Sequence, residues 1–270
     1  MHREGRAQGM PSATMQTQPR LVPRRIALVA RDWLQETTSG PGKFRDSNMG
    51  FAPHFAEIAN VASRHGADAL LFCLWSHDAR KLGELSPGLL FPRGTRHQAV
   101  ILGVKRSVGE DVEVHFRSQR SPATLRQQFA RTSDRAALKE ALLSELSARQ
   151  FGSTLIPLCG ETNLIKTERR TRAIVDQYEF LPWLRAARVQ LVLNPIHDYM
   201  RRFEMVLKRQ ALARAAHTVV CVWNRGCRDG SESALPWAAY RQGRTITDRI
   251  QEVDSIALEP GVRIGVLDMA

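Results

Sequence analysis

A cysteine followed by a glycine and an acid is the part of this sequence with the clearest chemical potential. Cys159, Gly160 and Glu161 come directly after the apolar run at 155–158. The run predicts a short buried strand, and a glycine lets the chain turn sharply after it. A thiol at such a strand end is within reach of ligands and can act as a nucleophile. The alternative is a structural role, because free cysteine is among the most buried residue types.

The composition predicts a globular protein with a reduced interior. The chain has 270 residues, of which 43% are hydrophobic, and this content supports a substantial core. Its four cysteines follow no regular spacing and form no CxxC motif, so neither a disulfide framework nor a metal site is indicated. We therefore expect a cytoplasmic protein that needs no cofactor. No secretory signal is readable, and no apolar run reaches the 18 or so residues of a membrane helix.

The formal net charge of +12 raises the question of nucleic-acid binding. Clustered lysine and arginine neutralise phosphates and release counterions. Here the basic residues are mostly arginines scattered among acids, and the segment 168–172 is a local exception. No helix-turn-helix or zinc-finger spacing is evident. Nucleic-acid binding therefore stays open beside a solvated basic surface.

Strands and helices are predicted to alternate along most of the chain, which favours an α/β fold with helices covering a sheet. In the region before Cys159, leucines mark an apolar stripe and Arg149 falls on the opposite, charged face. The predicted strands are 25–30, 67–74, 98–103, 112–116, 155–158, 189–194, 218–223 and 262–267, and the predicted helices are 51–64, 174–187 and 199–216. The strands 98–103 and 112–116 are expected to form a hairpin around a turn at 109–111, and a second hairpin joins 234–240 to 244–247.

We expect one domain over residues 24–270, because no change of composition divides the chain. Residues 1–23 are polar and basic and contain glycine and proline, which predicts a disordered tail. Met10 or Met15 could be the true start.

In their order and spacing, several segments resemble the carbon-nitrogen hydrolase, or nitrilase, superfamily. Gly66-Ala67-Asp68 opens a strand like the "GAD" strand of that family, and Cys159 with Glu161 resembles its nucleophile segment. Further similar segments are 183–195, 207–211, 224–226 with 230–233, and the closing hairpin 240–248.

The resemblance implies an α-β-β-α sandwich, commonly assembled as a homodimer. Members hydrolyse small amides, nitriles or carbamoyl compounds with three residues: a cysteine nucleophile, a glutamate base and a lysine that stabilises the tetrahedral intermediate. The trio makes chemical sense, because a thiol of ordinary pKa, about 8.5, needs a carboxylate to take its proton, and the oxyanion needs a donor.

The expected base and cation are replaced in this chain. Leu74 stands where the family has its glutamate, and Asp78 and Glu84 follow in a segment read either as a shifted base or as a solvated loop. The chain has six lysines, and none stands at the family position after the hairpin, since Lys105 lies near the hairpin turn. The six are Lys43, Lys81, Lys105, Lys139, Lys166 and Lys208.

Two arginines and an acid are the candidates to complete the site. Arg117 or Arg120 would supply the cation, although the forked, planar guanidinium group does not duplicate the geometry of lysine's ammonium. Glu145 resembles a second family carboxylate that assists catalysis, with an exposed helix residue as the alternative. The candidates for contacting the substrate are Glu161, Asn163 and Asn194, and Glu161 has the alternative of capping the following helix.

Three functions follow from the sequence. The first is a divergent amidase-type hydrolase of non-peptide C–N bonds that uses Cys159. The second is a catalytically degenerate member that binds a ligand or partner, which the loss of two of three expected residues favours. The third is a nucleic-acid-associated basic protein.

Overall fold

The computed structural model describes residues 19–31, 54–74, 76–79, 85–105, 110–127, 140, 143–196, 203–224, 235–253 and 262–270. The strands are β1 (Arg25–Arg31), β2 (Ala69–Phe72), β3 (His77–Asp78), β4 (Ala99–Lys105), β5 (Glu110–Phe116), β6 (Ala123–Arg126), β7 (Gln150–Phe151), β8 (Thr154–Leu155), β9 (Lys166–Thr167), β10 (Ile174–Val175), β11 (Leu191–Pro195), β12 (Thr218–Val222), β13 (Trp237–Arg241), β14 (Arg244–Thr245), β15 (Gln251–Val253) and β16 (Val262–Asp268). The helices are α1 (Phe55–Arg64), α2 (Pro87–Leu90), α3 (Phe180–Ala186) and α4 (Phe203–Ala215), with 3-10 helices at Leu146–Arg149, Cys159–Leu164 and Thr247–Arg249.

The described strands form two main sheets. The first has the order β15-β16-β1-β2-β4-β5-β6, and β3 also pairs with β4. In it β1, β2 and β4 run parallel, while β5 and β16 run antiparallel to their neighbours. The second has the order β14-β13-β12-β11-β8-β7, with β8, β11 and β12 parallel. Strands β9 and β10 form a separate pair.

The two sheets pack face to face. β1 lies against β12 and β2 against β11. Gly265 of β16 is pressed against Trp237 of β13, since a Cβ atom on this glycine would lie 2.8 Å from the indole ring. At the other side, the rings of Phe116 in β5 and Phe151 in β7 have centroids 5.6 Å apart. These contacts enclose the hydrophobic core between the two sheets.

Helices cover the outer faces. On the first sheet, Phe55 of α1 packs against Phe72 of β2 with ring centroids 5.1 Å apart. On the second sheet, α4 lies over β12 and β13, and α3 packs beside α4. Residues of β2, β11 and β12 are all buried, as expected for parallel strands covered on both faces. The architecture is the predicted α-β-β-α sandwich.

Most elements agree with the sequence prediction. The described ranges confirm the strands at 25–30, 67–74, 189–194, 218–223 and 262–267, both hairpins, and a helix within 199–216. Strands β3, β6, β7, β9, β10 and β15 were not predicted, because two to four residues are too few for a periodic pattern to be read.

Three predictions are corrected. The helix expected over 174–187 starts at Phe180, where the Asp176 carboxylate accepts hydrogen bonds from the Phe180 and Leu181 amides at 3.0 and 2.8 Å. The strand expected over 155–158 is only two residues long, as β8 ends at Leu155. Leu21, assigned to the tail, is 4% exposed and its amide donates to the Phe151 carbonyl, so the fold begins before residue 24.

Several predictions lie outside the described residues. They concern residues 1–18 of the tail, the start of the helix at 51–53, the leucine stripe at Leu138 and Leu142, Gly109 of the first hairpin turn, Glu84, Lys43, Lys81, Lys139, Cys227 and the segment 225–233. Glu110 and Asp111, predicted to belong to the same turn, lie in β5.

Candidate functional site

The carboxyl ends of the central parallel strands of both sheets meet at one edge of the sandwich. The Leu74 amide, beyond β2, donates to the Ile196 carbonyl, beyond β11, at 3.2 Å. The Asn224 side chain, beyond β12, donates to the Leu74 carbonyl at 2.9 Å. We call this region the joined edge, defined by Leu74, Ile196, Asn224 and Cys159, which follows β8. Ligand sites of parallel α/β sheets lie at such carboxyl ends.

Cys159 stands at the junction between the extended segment after β8 and a 3-10 helix. Its φ is 22°, a positive value that residues other than glycine rarely adopt. The residue is 5% exposed, whereas Cys73 and Cys221 are fully buried. A nucleophile placed on a tight, strained turn has this arrangement of backbone and thiol, and strain of this kind is concentrated at functional sites.

A buried ion pair fixes the backbone around the cysteine. The Glu161 carboxylate accepts a hydrogen bond from the Leu158 amide at 2.8 Å. The Nη1 atom of Arg149 lies 3.1 Å from the same carboxylate, and neither side chain is more than 1% exposed. Glu161 thus caps the helix that begins at Cys159, which was the alternative to a contact with substrate.

The prediction that Arg149 lies on the exposed, charged face of the preceding helix is wrong. Instead of facing solvent, it is 1% exposed and bridges several groups. Its Nη2 atom donates to the Arg126 carbonyl at the end of β6 and lies 3.5 Å from Glu145. Glu145, with a 45% exposed side chain, is therefore tied to the Cys159 segment through Arg149.

The two predicted asparagines support the same segment from other sides. The Asn194 amide in β11 donates to the Pro157 carbonyl at 2.8 Å, two residues before the cysteine. The Asn163 side-chain oxygen accepts a hydrogen bond from the Lys208 ammonium at 2.7 Å. Asn194 is 2% exposed, so its contacts are to protein groups.

Arg117 and Arg120 lie at the opposite edge of the first sheet. The Arg117 amide donates to the Gln98 carbonyl, immediately before β4 begins, and its guanidinium binds the His97 carbonyl and the Thr95 hydroxyl at 2.9 and 2.8 Å. Arg120 is exposed in the same connection between β5 and β6. The seven residues of β4 span roughly 20 Å, so the structure does not bring these arginines to Cys159.

A carboxylate that the sequence left open as a shifted base, and a lysine that it set aside, come to the joined edge. Asp78 of β3 is the register partner of Lys105 at the end of β4. Because β1 faces β12 and β2 faces β11, β4 and β8 are the next strands on the same side of the two sheets. Asp78 and Lys105 therefore end at the same edge and side of the sandwich as Cys159.

The alternation of side chains orients Asp78 inward. Neighbouring His77 packs its ring against Phe55 of α1, with centroids 6.3 Å apart, and so faces the outer helical layer. Successive residues of a strand point to opposite faces, which directs Asp78 and its register partner Lys105 towards the second sheet. Asp78 is 8% exposed. The signal in the sequence was the strand AVILGVK, which ends in the lysine that we placed near the hairpin turn.

The other described cysteines have structural surroundings. The Cys73 thiol donates to the Asn224 side-chain oxygen at 2.8 Å. Burial raises the pKa of the Cys221 thiol, an effect opposed by the neighbouring Arg209. Leu74, in the position expected for the family glutamate, is fully buried. Among the residues that the structure describes, Cys159 is therefore the best-placed nucleophile.

The described ranges contain neither a metal-ligand cluster nor a helix that could span a membrane. No group of three or more histidine, cysteine or acidic side chains is arranged to hold a metal ion there. None of the described helices combines the length and apolar character needed to cross a bilayer.

The class defined by this architecture is a two-sheet α/β sandwich with a thiol at the joined edge. No family model matches the sequence, and a search of curated proteins gives no match. Among solved structures, the chain is similar to amidases of Nesterenkonia. A cysteine-to-alanine mutant of an amidase from the nitrilase superfamily aligns at 16% identity over 93% of both chains, with a TM-score of 0.46.

Two further mutants of that amidase are also similar. A double mutant in complex with acrylamide aligns at 14% identity over 95% of this chain and 93% of the amidase, with a TM-score of 0.47. A glutamate-to-leucine mutant, which shows covalent addition of the acetamide moiety of fluoroacetamide at its active-site cysteine, aligns at 15% identity over 95% and 94%, with a TM-score of 0.44.

Proposed function

We propose that this protein hydrolyses the C–N bond of a small, non-peptide amide with Cys159 as nucleophile. The observation that carries the proposal is the position of Cys159: a positive-φ turn at the joined edge, held from behind by the buried Arg149–Glu161 pair. This arrangement fixes the thiol beyond the end of β8, at the 5% exposed margin of the core. The predicted substrate contact by Asn163 remains part of the proposal.

Asp78 is the proposed general base. A thiol needs a carboxylate to remove its proton as the sulfur attacks the amide carbonyl. Asp78 replaces the glutamate expected at Leu74, because β3 carries it four residues further along to the same edge. The proton taken from Cys159 passes to the departing amine as the C–N bond breaks, leaving a thioester. Asp78 then takes a proton from water, which attacks the thioester and releases the acid and the thiol.

Lys105 is the proposed cation for the tetrahedral oxyanion. It is half-buried, lies in register with Asp78, and belongs to the face directed at the second sheet. A fixed positive charge in a partly enclosed site stabilises charge that develops in the transition state. Lys105 thereby takes the role that the sequence assigned to Arg117 or Arg120, whose guanidinium groups lie at the other edge.

Thiol labelling and ammonia release test this proposal. We expect fluoroacetamide or iodoacetamide to label Cys159 faster than the buried Cys73 and Cys221 of the same molecule, as read by mass spectrometry of peptides. Acrylamide or butyramide should release ammonia with the wild-type protein, and Cys159→Ala should abolish the release. Asp78→Asn should lower the rate by at least about a hundredfold, whereas Arg117→Gln should leave it within about twofold.

A second candidate function is ligand binding without turnover. It is favoured by the buried leucine at the position of the expected glutamate. The two functions differ in outcome: equal labelling of all thiols and no ammonia from any amide of the panel would reject the hydrolase. Thermal stabilisation by the same amides, retained in Cys159→Ala, would then support the binding protein.

A further inference from the structure

A buried cation of the helical layer contacts the segment that begins at Cys159. Lys208 of α4 is 7% exposed, and its ammonium donates to the Asn163 side-chain oxygen at 2.7 Å. Asn163 is the fifth residue of the 3-10 helix Cys159–Leu164. Charged side chains are seldom buried unless they are paired, and Lys208 is the one lysine among the buried residues that the structure describes.

The 3-10 helix depends on side-chain contacts for its position. Hydrogen bonds of 3-10 helices have poor geometry, and such helices are usually short. Here the Glu161 carboxylate holds the start of the helix through the Leu158 amide, and the Thr162 hydroxyl donates to the Cys159 carbonyl at 3.2 Å. Lys208 holds the far end through Asn163. The lysine is thus one of the groups that fix the conformation of the cysteine turn.

The surroundings of Lys208 make its charge easy to remove. Burial lowers the pKa of Lys208 to about 8; Glu204 of the same helix acts in the opposite direction, and Lys166 of β9 lowers the pKa further. Glu204 is shared with Arg169, whose Nε lies 2.8 Å from the Glu204 carboxylate. The carboxylate is therefore divided between cations and does not neutralise Lys208 alone.

We propose that Lys208 is a positioning residue for Cys159: as an ammonium it holds Asn163 and the 3-10 helix, and loss of its proton loosens the turn that presents the thiol. The effect of Lys208 on catalysis rests on the proposed hydrolase function, whereas its effect on the conformation of the cysteine turn does not. A hydrogen bond from a charged donor is stronger than one from a neutral amine by a factor of about three to ten in its equilibrium constant.

Hydrogen exchange of the 158–164 segment tests the link in the full-length protein. Because a local opening of the turn breaks the Asn163 contact but leaves Lys208 buried on α4, protection factors corrected for intrinsic exchange should fall about three- to tenfold in the wild type as pH rises from 6.5 to 9.5, with a midpoint near 8. Lys208→Met should give low protection at every pH, and Lys208→Arg should keep high protection across the range. Asn163→Asp, which adds a negative partner, should move the step to higher pH.

Matched variants and a second readout decide the outcome. Lys166→Met removes a neighbouring lysine but leaves the Asn163 contact, so the step should persist. Iodoacetamide labelling of Cys159 at pH 7 should be about three- to tenfold slower in Lys208→Met than in Lys208→Arg. A wild-type profile without a step, or the same step in Lys208→Met, would overturn the proposal. Absence of amide hydrolysis with the expected exchange profiles would reject the hydrolase alone.

Discussion

Replacing Lys208 with methionine is expected to change how the stability of the protein depends on pH. The lysine has a pKa of about 8 in the folded protein and 10.5 as its ordinary value. Between these two values the unfolded chain holds the proton and the folded chain has lost it. The free energy of unfolding of the wild type therefore rises with pH in this window, because stability increases wherever the unfolded state binds more protons.

The size of the effect follows from the two pKa values. Their difference corresponds to about 3 kcal/mol at roughly 1.36 kcal/mol for each pH unit, and about 2 to 3 kcal/mol of it accrues between pH 7 and pH 10. Solvent screening reduces this little, since the residue is 7% exposed. Methionine does not titrate. The unfolding free energy of Lys208→Met minus that of the wild type should thus fall by about 2 to 3 kcal/mol over this range.

Urea unfolding followed by tryptophan fluorescence at pH 7 and pH 10 measures this difference. Titration of the tyrosines and cysteines cancels when the two proteins are compared at the same pH. Lys166→Met is the matched control, since Lys166 is only half-buried and its difference from the wild type should change by less than about 1 kcal/mol. A Lys208→Met difference that is the same at both pH values would show that the lysine titrates as it does in water and would refute the reasoning.

Two further pairs of substitutions, each a buried residue with an exposed control, test the packing of the fold. Glu161→Gln leaves Arg149 without its buried charge partner, so urea unfolding should show a loss of about 3 to 5 kcal/mol. Glu145→Gln, which removes the exposed partner of the same arginine, should cost less than about 1 kcal/mol. Equal losses would contradict the structure. Leu21→Ala should lower the unfolding free energy by about 2 to 5 kcal/mol. Val22 is 64% exposed, so Val22→Ala should change the unfolding free energy by less than about 0.5 kcal/mol. An unchanged unfolding free energy in Leu21→Ala would show that Leu21 is not part of the folded core.

The strands of the core were predictable because their signal is local. Runs such as 26–30 and 219–223 are apolar at every position, which indicates strands covered on both faces. The structure places both at the centres of their sheets. The start of the helix expected at 174 was wrong. Apolar residues begin at 174, but the Asp176 carboxylate caps the helix and fixes its start at Phe180.

The candidate site was predictable only in part. Cys159 was found because an apolar run, a glycine and an acid lie next to each other in the sequence. Arg149 was misplaced, because an arginine on the polar side of a helical pattern is ordinarily exposed. Its burial depends on Glu161, twelve residues later, and on the end of β6. A local pattern contains neither partner.

The sequence by itself determined the alternation of strands and helices and the thiol at a strand end, since both depend on neighbouring residues. The tertiary structure decided which charges share an edge with that thiol. Asp78 and Lys105 join it because β3 and β4 run parallel in the same direction as β2. Arg117 is placed about one strand length away because β5 runs back. The direction and order of strands come from pairing between distant segments, which no local spacing encodes.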